Sequence, residues 1–152
     1  MQRNLLIGLW LALLTGNVGA NESALSLRDG YVREMPPGHP VTAAFGRLDN
    51  SGSGPVELTG ASCACAQRVE IHRHVEHEGR ARMEQLETLP VPPGGVELAP
   101  GGLHLMLIDL TQPLRAGDEV ELTLEDAAGG THTVRLPVQR LSGVDGAGHH
   151  HH

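Results

Sequence analysis

Between residues 26 and 138 no stretch sustains a 3.6-residue apolar stripe over ten residues. The chain is instead cut into short runs of period-two alternation or β-branched content, separated by Gly, Pro, Asn and Asp. The runs are Ser26 to Arg33, Thr42 to Leu48, Pro55 to Gly60, Gln67 to Val75, Arg80 to Leu86, Gly95 to Leu98, Leu103 to Leu110, Glu119 to Glu125 and His132 to Val138. Turn-forming clusters lie between them at Asp49 to Gly54, Glu78-Gly79, Pro92 to Gly95, Pro100 to Gly102 and Ala127 to Gly130. Eight or nine strands at this spacing predict one all-β domain, a two-sheet sandwich with Greek-key connections. There is no internal repeat and no second domain. The 152-residue chain holds one Phe, one Tyr and one Trp, so its core must be built from Leu and Val. The tryptophan-on-disulfide centre of antibody-type domains is absent.

The ends read as processing and handling segments. Residues Leu5 to Leu14 form an apolar run behind Arg3, and Val18-Gly19-Ala20 supplies small residues at cleavage offsets. Residues 1–20 are therefore expected to be a secretory signal peptide, with the mature chain starting near Asn21. About ten apolar residues is roughly half of what a bilayer core requires, so stable membrane insertion is not expected. No Cys follows the expected cut, so lipid anchoring is not suggested. Residues 145–152 read as a linker and a terminal His tag, which sets aside four of the ten histidines. Without Arg3, ten arginines face eighteen Asp and Glu, a net charge of about −8, and there is no Lys. An acidic surface without basic runs argues against nucleic acid and anionic membranes, and it suits a domain that meets a cation.

Four residues carry chemistry on this scaffold: His72, Met83, His104 and Met106. Thioether sulfur is a good ligand for Cu(I), and imidazole accepts both copper oxidation states. His104 and Met106 stand at i and i+2 in Leu-His-Leu-Met-Leu, so a strand projects both from one face. If residues 76–79 form a four-residue hairpin loop, His72 pairs directly with Met83, their Cβ atoms about 5 Å apart. Each pair is then a two-donor clip, and two clips brought together make a four-coordinate site. Each residue also has a plainer use, since Met fills gaps in cores and a strand His is commonly a half-exposed polar group. A core role gives no reason for His to accompany Met at matched positions twice.

The segments Val69-Glu70-Ile71-His72, Gly79-Arg80-Ala81-Arg82-Met83 and Leu98 to Leu107 resemble the periplasmic copper chaperones known as PCu(A)C proteins. Their signature is a His, a Met after ten intervening residues, and a later His-x-Met; here these are His72, Met83 and His104-Leu105-Met106. Asp29 to Arg33, Ala43-Ala44-Phe45 and Gln112 to Asp118 agree as well, so the resemblance covers essentially the whole mature chain. It implies a cupredoxin-like sandwich that binds Cu(I) in the bacterial periplasm. It further implies delivery to a recipient such as a cytochrome oxidase subunit or another chaperone, and no enzymatic activity.

Two features depart from that pattern. Cys63-Ala64-Cys65 lies where the family has no thiols; it could be a disulfide, a redox pair or a thiolate copper site. In an extended segment the two Cα atoms lie about 6.6 Å apart, so a local turn is needed to bridge them. His74 and His77 extend His72 into His-x-His-x-x-His, and His74 could be a further ligand or hold a Cu(II)-preferring ion. Met35 and His39, flanking Pro36-Pro37-Gly38, could approach any site from a loop. Two other classes stay open: a thiol-disulfide or CxC-centred copper protein using Cys63 and Cys65, and a cupredoxin electron carrier. The second places Cys, His and Met close together in one late loop, which this chain lacks.

Overall fold

A computed structural model describes residues 24–141; the expected signal peptide and the terminal tail lie outside the described residues. The described residues form ten strands: β1 (Leu25–Arg33), β2 (Val41–Asn50), β3 (Val56–Ser62), β4 (Ala66–His77), β5 (Arg80–Leu86), β6 (Leu89–Val91), β7 (Val96–Leu98), β8 (Leu103–Leu110), β9 (Glu119–Asp126) and β10 (Thr131–Gln139). Nine of them match the runs of alternating residues. The tenth, Leu89-Pro90-Val91, is three residues long and contains a Pro, so it has no pattern to read. Its Leu89 and Val91 are nevertheless buried, paired with Leu58 and Val56 of β3 at the sheet's end.

The strands follow the order β5-β4-β8-β2-β1-β10-β9-β3-β6, and a further β3–β4 pairing through Ala61 and Val69 closes the sheet on itself. The two layers of a sandwich are thus joined along both edges into a seven-stranded barrel, with β5, β6 and β7 attached outside the ring. All neighbours run antiparallel except β1 and β10, which pair in parallel through Val32 and Val138. β2 changes partner midway, from β8 over residues 41–44 to β7 over residues 46–48. Gly46 sits at that change with φ 140°, and a Cβ there would lie 2.7 Å from the Cα of Gly30. Only a glycine allows the backbones to approach so closely.

The interior is the aliphatic one the composition requires. Leu25, Leu48, Leu58, Leu98, Leu105, Leu107, Leu122, Leu124 and Leu136 are fully buried, with Val32, Val91 and Val138 between them. The lone Phe and Tyr stand apart from that cluster. Tyr31 and Phe45 pack on each other with ring centroids 5.5 Å apart, on the flank of β8 that carries His104.

Candidate metal centre

Strand alternation places the chemistry. In β8, Leu105 and Leu107 enter the core, so His104 and Met106 share the opposite face. In β4, Val69 and Ile71 are buried, so Glu70, His72 and His74 share that same outer face. The two strands pair in a register that sets His72 directly opposite His104 and Glu70 opposite Met106. This cross-strand contact brings the two halves of the sequence motif together.

The β4–β5 hairpin differs from the four-residue loop expected. His77 pairs with Arg80, leaving only Glu78 and Gly79 in the turn, both with positive φ (52° and 72°). Such a two-residue turn matches the twist of the strands. The register therefore shifts by two: Met83 lies directly opposite His74, and His72 opposite Gln85. An even shift keeps every residue on its face, so Met83 becomes a diagonal neighbour of His72. His72 is the hub, with His104 across from it in β8, Met106 diagonal in β8 and Met83 diagonal in β5. Diagonal spacings of about 7–8 Å remain within reach of long side chains. Met83 is 47% exposed, the one large apolar side chain among the described residues that is.

Three imidazoles converge here. The ring centroid of His104 lies 5.8 Å from that of His72 and 5.9 Å from that of His74, and Phe45 covers it at 6.1 Å. The Nδ1–H of His104 donates to the carbonyl of Gly102 at 3.1 Å. The Nε2–H of His72 donates to Oε2 of Glu70 at 2.8 Å. A carbonyl and a carboxylate can only accept, so these bonds fix the tautomers and turn Nε2 of His104 and Nδ1 of His72 into lone-pair donors. Both atoms, together with Nδ1 of His74, are buried without a hydrogen-bond partner. Unsatisfied buried polar atoms are costly and few in native proteins, so three within one cluster form a candidate ligand site. Burial also lowers the His104 pKa below the ordinary imidazole value; the Gly102 carbonyl opposes this, while His72 and His74 lower it further. Among the described residues no three His, Cys, Asp or Glu side chains yet converge at ligand distance, so closing the set around an ion takes a turn of at least one ring.

The model of the LpqE-like family, described as "Putative lipoprotein LpqE-like", matches residues 25–138. The chain belongs to this family. A protein of Leifsonia xyli subsp. xyli (strain CTCB07), "Putative lipoprotein Lxx21020", is 37% identical over 110 residues, covering 71% of this chain and 66% of that protein. The match therefore spans just under two thirds of that relative's length. Among solved structures, that of CuI-DR1885 from Deinococcus radiodurans is 30% identical with a TM-score of 0.64, over 81% of this chain and 83% of that one. The copper-bound PCuAC domain from PmoF2 has the same TM-score at 22% identity, over 78% of this chain and 95% of that domain. The LpqE-like chain thus has the fold of PCuAC domains, a cupredoxin-like all-β fold.

Other sequence candidates lie elsewhere in the LpqE-like domain. Cys63 and Cys65 are bonded to each other, their Cα atoms 5.1 Å apart, in a turn closed by Ala66 N donating to the Cys63 carbonyl. They sit at the far end of β4, seven residues or roughly 23 Å of strand from His72. Met35 and His39 line a cleft of about 750 Å³ that also includes Leu110 and Thr111, at the end of β8 remote from His104. His77 is exposed at the hairpin tip beside Glu78. Glu70 was not singled out by its sequence, although alternation alone sets it on the His72 face.

Proposed function

We propose that this chain is an exported copper-binding protein that takes up Cu(I) through His72, His104, Met106 and Met83 and passes it to a recipient copper protein. The observation that carries this reading is the set of buried imidazole nitrogens with open lone pairs, on one sheet face with two thioethers in diagonal reach. Neutral imidazole and thioether favour Cu(I) over hard cations. With both cysteines tied in a remote disulfide, no thiolate enters the site to slow release. The Cu(I)-bound relative from Deinococcus and the copper-bound PmoF2 domain support copper as the cargo.

The arrangement suggests how cargo moves. Phe45 and the barrel wall close the His104 side, whereas Met83 faces solvent on the edge strand. A donor or recipient can therefore exchange ligands at Met83 while His72 and His104 hold the ion. Export into the periplasm is supported by the signal-like residues 1–20 and by a family and a relative both described as lipoproteins. The recipient is a periplasmic copper protein, such as a cytochrome oxidase subunit or another chaperone.

The test is an anaerobic Cu(I) titration against a chromophoric chelator, on mature protein without the terminal histidines, after reduction and alkylation of the cysteines. About one tightly bound Cu(I), lost in His104→Ala, is the expected result. Loss of all binding on alkylation would move the function to Cys63 and Cys65 and overturn the site.

A further inference from the structure

Of the three imidazoles with an open nitrogen, His74 has no part in the His-and-Met set above, and its position gives it one. It stands directly opposite Met83 and its ring lies as close to His104 as the ring of His72 does (5.9 and 5.8 Å). Its Nδ1 is buried without a partner. A histidine kept only for solubility on an edge hairpin would turn that nitrogen to water, as His77 does at the tip, where its side chain is 76% exposed.

We infer that His74 is a third imidazole ligand, and that His72, His74 and His104 together form an all-nitrogen pocket for Cu(II) overlapping the Cu(I) site. The inference rests on the copper reading above. Its chemistry follows from the donors: Cu(II) prefers imidazole nitrogen, whereas thioether sulfur favours Cu(I). An ion about 2.0 Å from an imidazole nitrogen lies roughly 3.2 Å from the ring centroid, so two rings on one ion are at most about 6.4 Å apart. Both separations from His104 meet that limit. His104 is therefore near enough to share an ion with either neighbour; no three such side chains among the described residues converge at ligand distance as they stand, so the His74 ring, on the hairpin to the edge strand, has to turn to complete the set. The two oxidation states then use overlapping sets: His72 and His104 serve both, joined by Met83 and Met106 for Cu(I) and by His74 for Cu(II).

The test uses the mature chain without its terminal histidines, loaded with one equivalent of Cu(II) and examined by electron paramagnetic resonance and nitrogen spin-echo modulation. Wild type is expected to show three coordinated imidazoles. In His74→Ala and His74→Gln one imidazole should disappear and Cu(II) affinity should fall at least tenfold, while Cu(I) affinity measured anaerobically changes less than threefold. Unchanged Cu(II) spectra in both folded variants would overturn the inference, as would a spectrum that depends on His77 instead. Failure of the parent reading has a different signature: wild type that binds no Cu(I) in the chelator titration, whatever its Cu(II) spectrum.

Discussion

Two buried histidines in the same barrel show opposite uses of one side chain. His104 is 3% exposed and His132 7%. In β10, His132 donates Nε2–H to Oδ2 of Asp126 at 2.8 Å, and the other oxygen of Asp126 accepts from the backbone N–H of Ala128 and Gly130. That carboxyl is held below its usual range, chiefly by His132 and then by the Gly130 N–H. The cluster clasps the β9–β10 turn, and Nδ1 of His132 is not among the buried polar atoms left without a partner. His104 in β8 has one nitrogen tied to Gly102 and the other open toward two further imidazoles. Burial alone does not distinguish structure from function here; the state of the second nitrogen does.

Substituting each residue tests that contrast most severely. His104→Ala should weaken Cu(I) binding by at least a hundredfold in chelator competition and leave the far-ultraviolet dichroism unchanged. His132→Ala should leave Cu(I) affinity within twofold but lower the urea midpoint, because it removes the imidazole that donates to Oδ2 of Asp126. Interchanged results would break the comparison. One step outward, Glu70 resembles Asp126 in gripping an imidazole, but the imidazole it grips is a proposed ligand. Glu70→Ala should reduce Cu(I) affinity about tenfold, the usual effect of losing a group that orients a metal ligand, and Glu70→Gln should recover part of that loss by accepting the same hydrogen bond. An unchanged affinity in Glu70→Ala would make the contact incidental.

The two regions also differ in how much of them the sequence made legible. The β9–β10 hairpin reads directly, since Ala127 to Gly130 marks the turn between two alternating runs. Across the candidate metal centre, alternation set His104 with Met106 on one shared face and His72 with Met83 on another, and the strand registers put these four and His74 on one surface. Which of them touch was beyond reach, because twenty-five residues lie between β4 and β8 and only the assembled barrel sets His72 against His104. The Met83 register was misread for a local reason: Glu78-Gly79 was marked as the turn, but Glu is a poor residue for positive φ, so the loop was extended to residues 76–79, whereas His77 pairs with Arg80. The slip happened to be even, which preserved the face and changed only the neighbour, from His72 to His74. Leu89 to Val91 escaped because three residues containing a Pro carry no period.

Protonation sharpens the comparison at the next level. The folded His104 pKa lies below the unfolded value of 6.5, so between the two the unfolded chain binds the proton and the folded chain does not. Apo stability is then fully present above about pH 6.5 and declines as pH falls through that window. Urea midpoints measured between pH 7 and 5 should fall more steeply for wild type than for His104→Ala. Equal slopes would mean that burial at β8 does not oppose the charged ring.

The smallest effect is expected at the other end of β4. The Cys63–Cys65 disulfide closes a loop of three residues, so the entropy it removes from the unfolded chain is worth about 1.5 kcal/mol at most. It does, however, sit where β3 turns into β4, next to the single Ala61–Val69 pairing that closes the barrel. The turn is also anchored independently, through Thr111, whose N–H donates to the Cys65 carbonyl and whose hydroxyl donates to the Ala64 carbonyl. Cys63→Ser with Cys65→Ser should therefore lower the urea midpoint modestly and keep the barrel closed, with hydrogen exchange rising at Ala61 and Val69 before anywhere near His104. Cu(I) affinity should stay within twofold of wild type. A tenfold loss would mean that the closure of the barrel, some seven residues along β4, governs how His72 is presented to its ion.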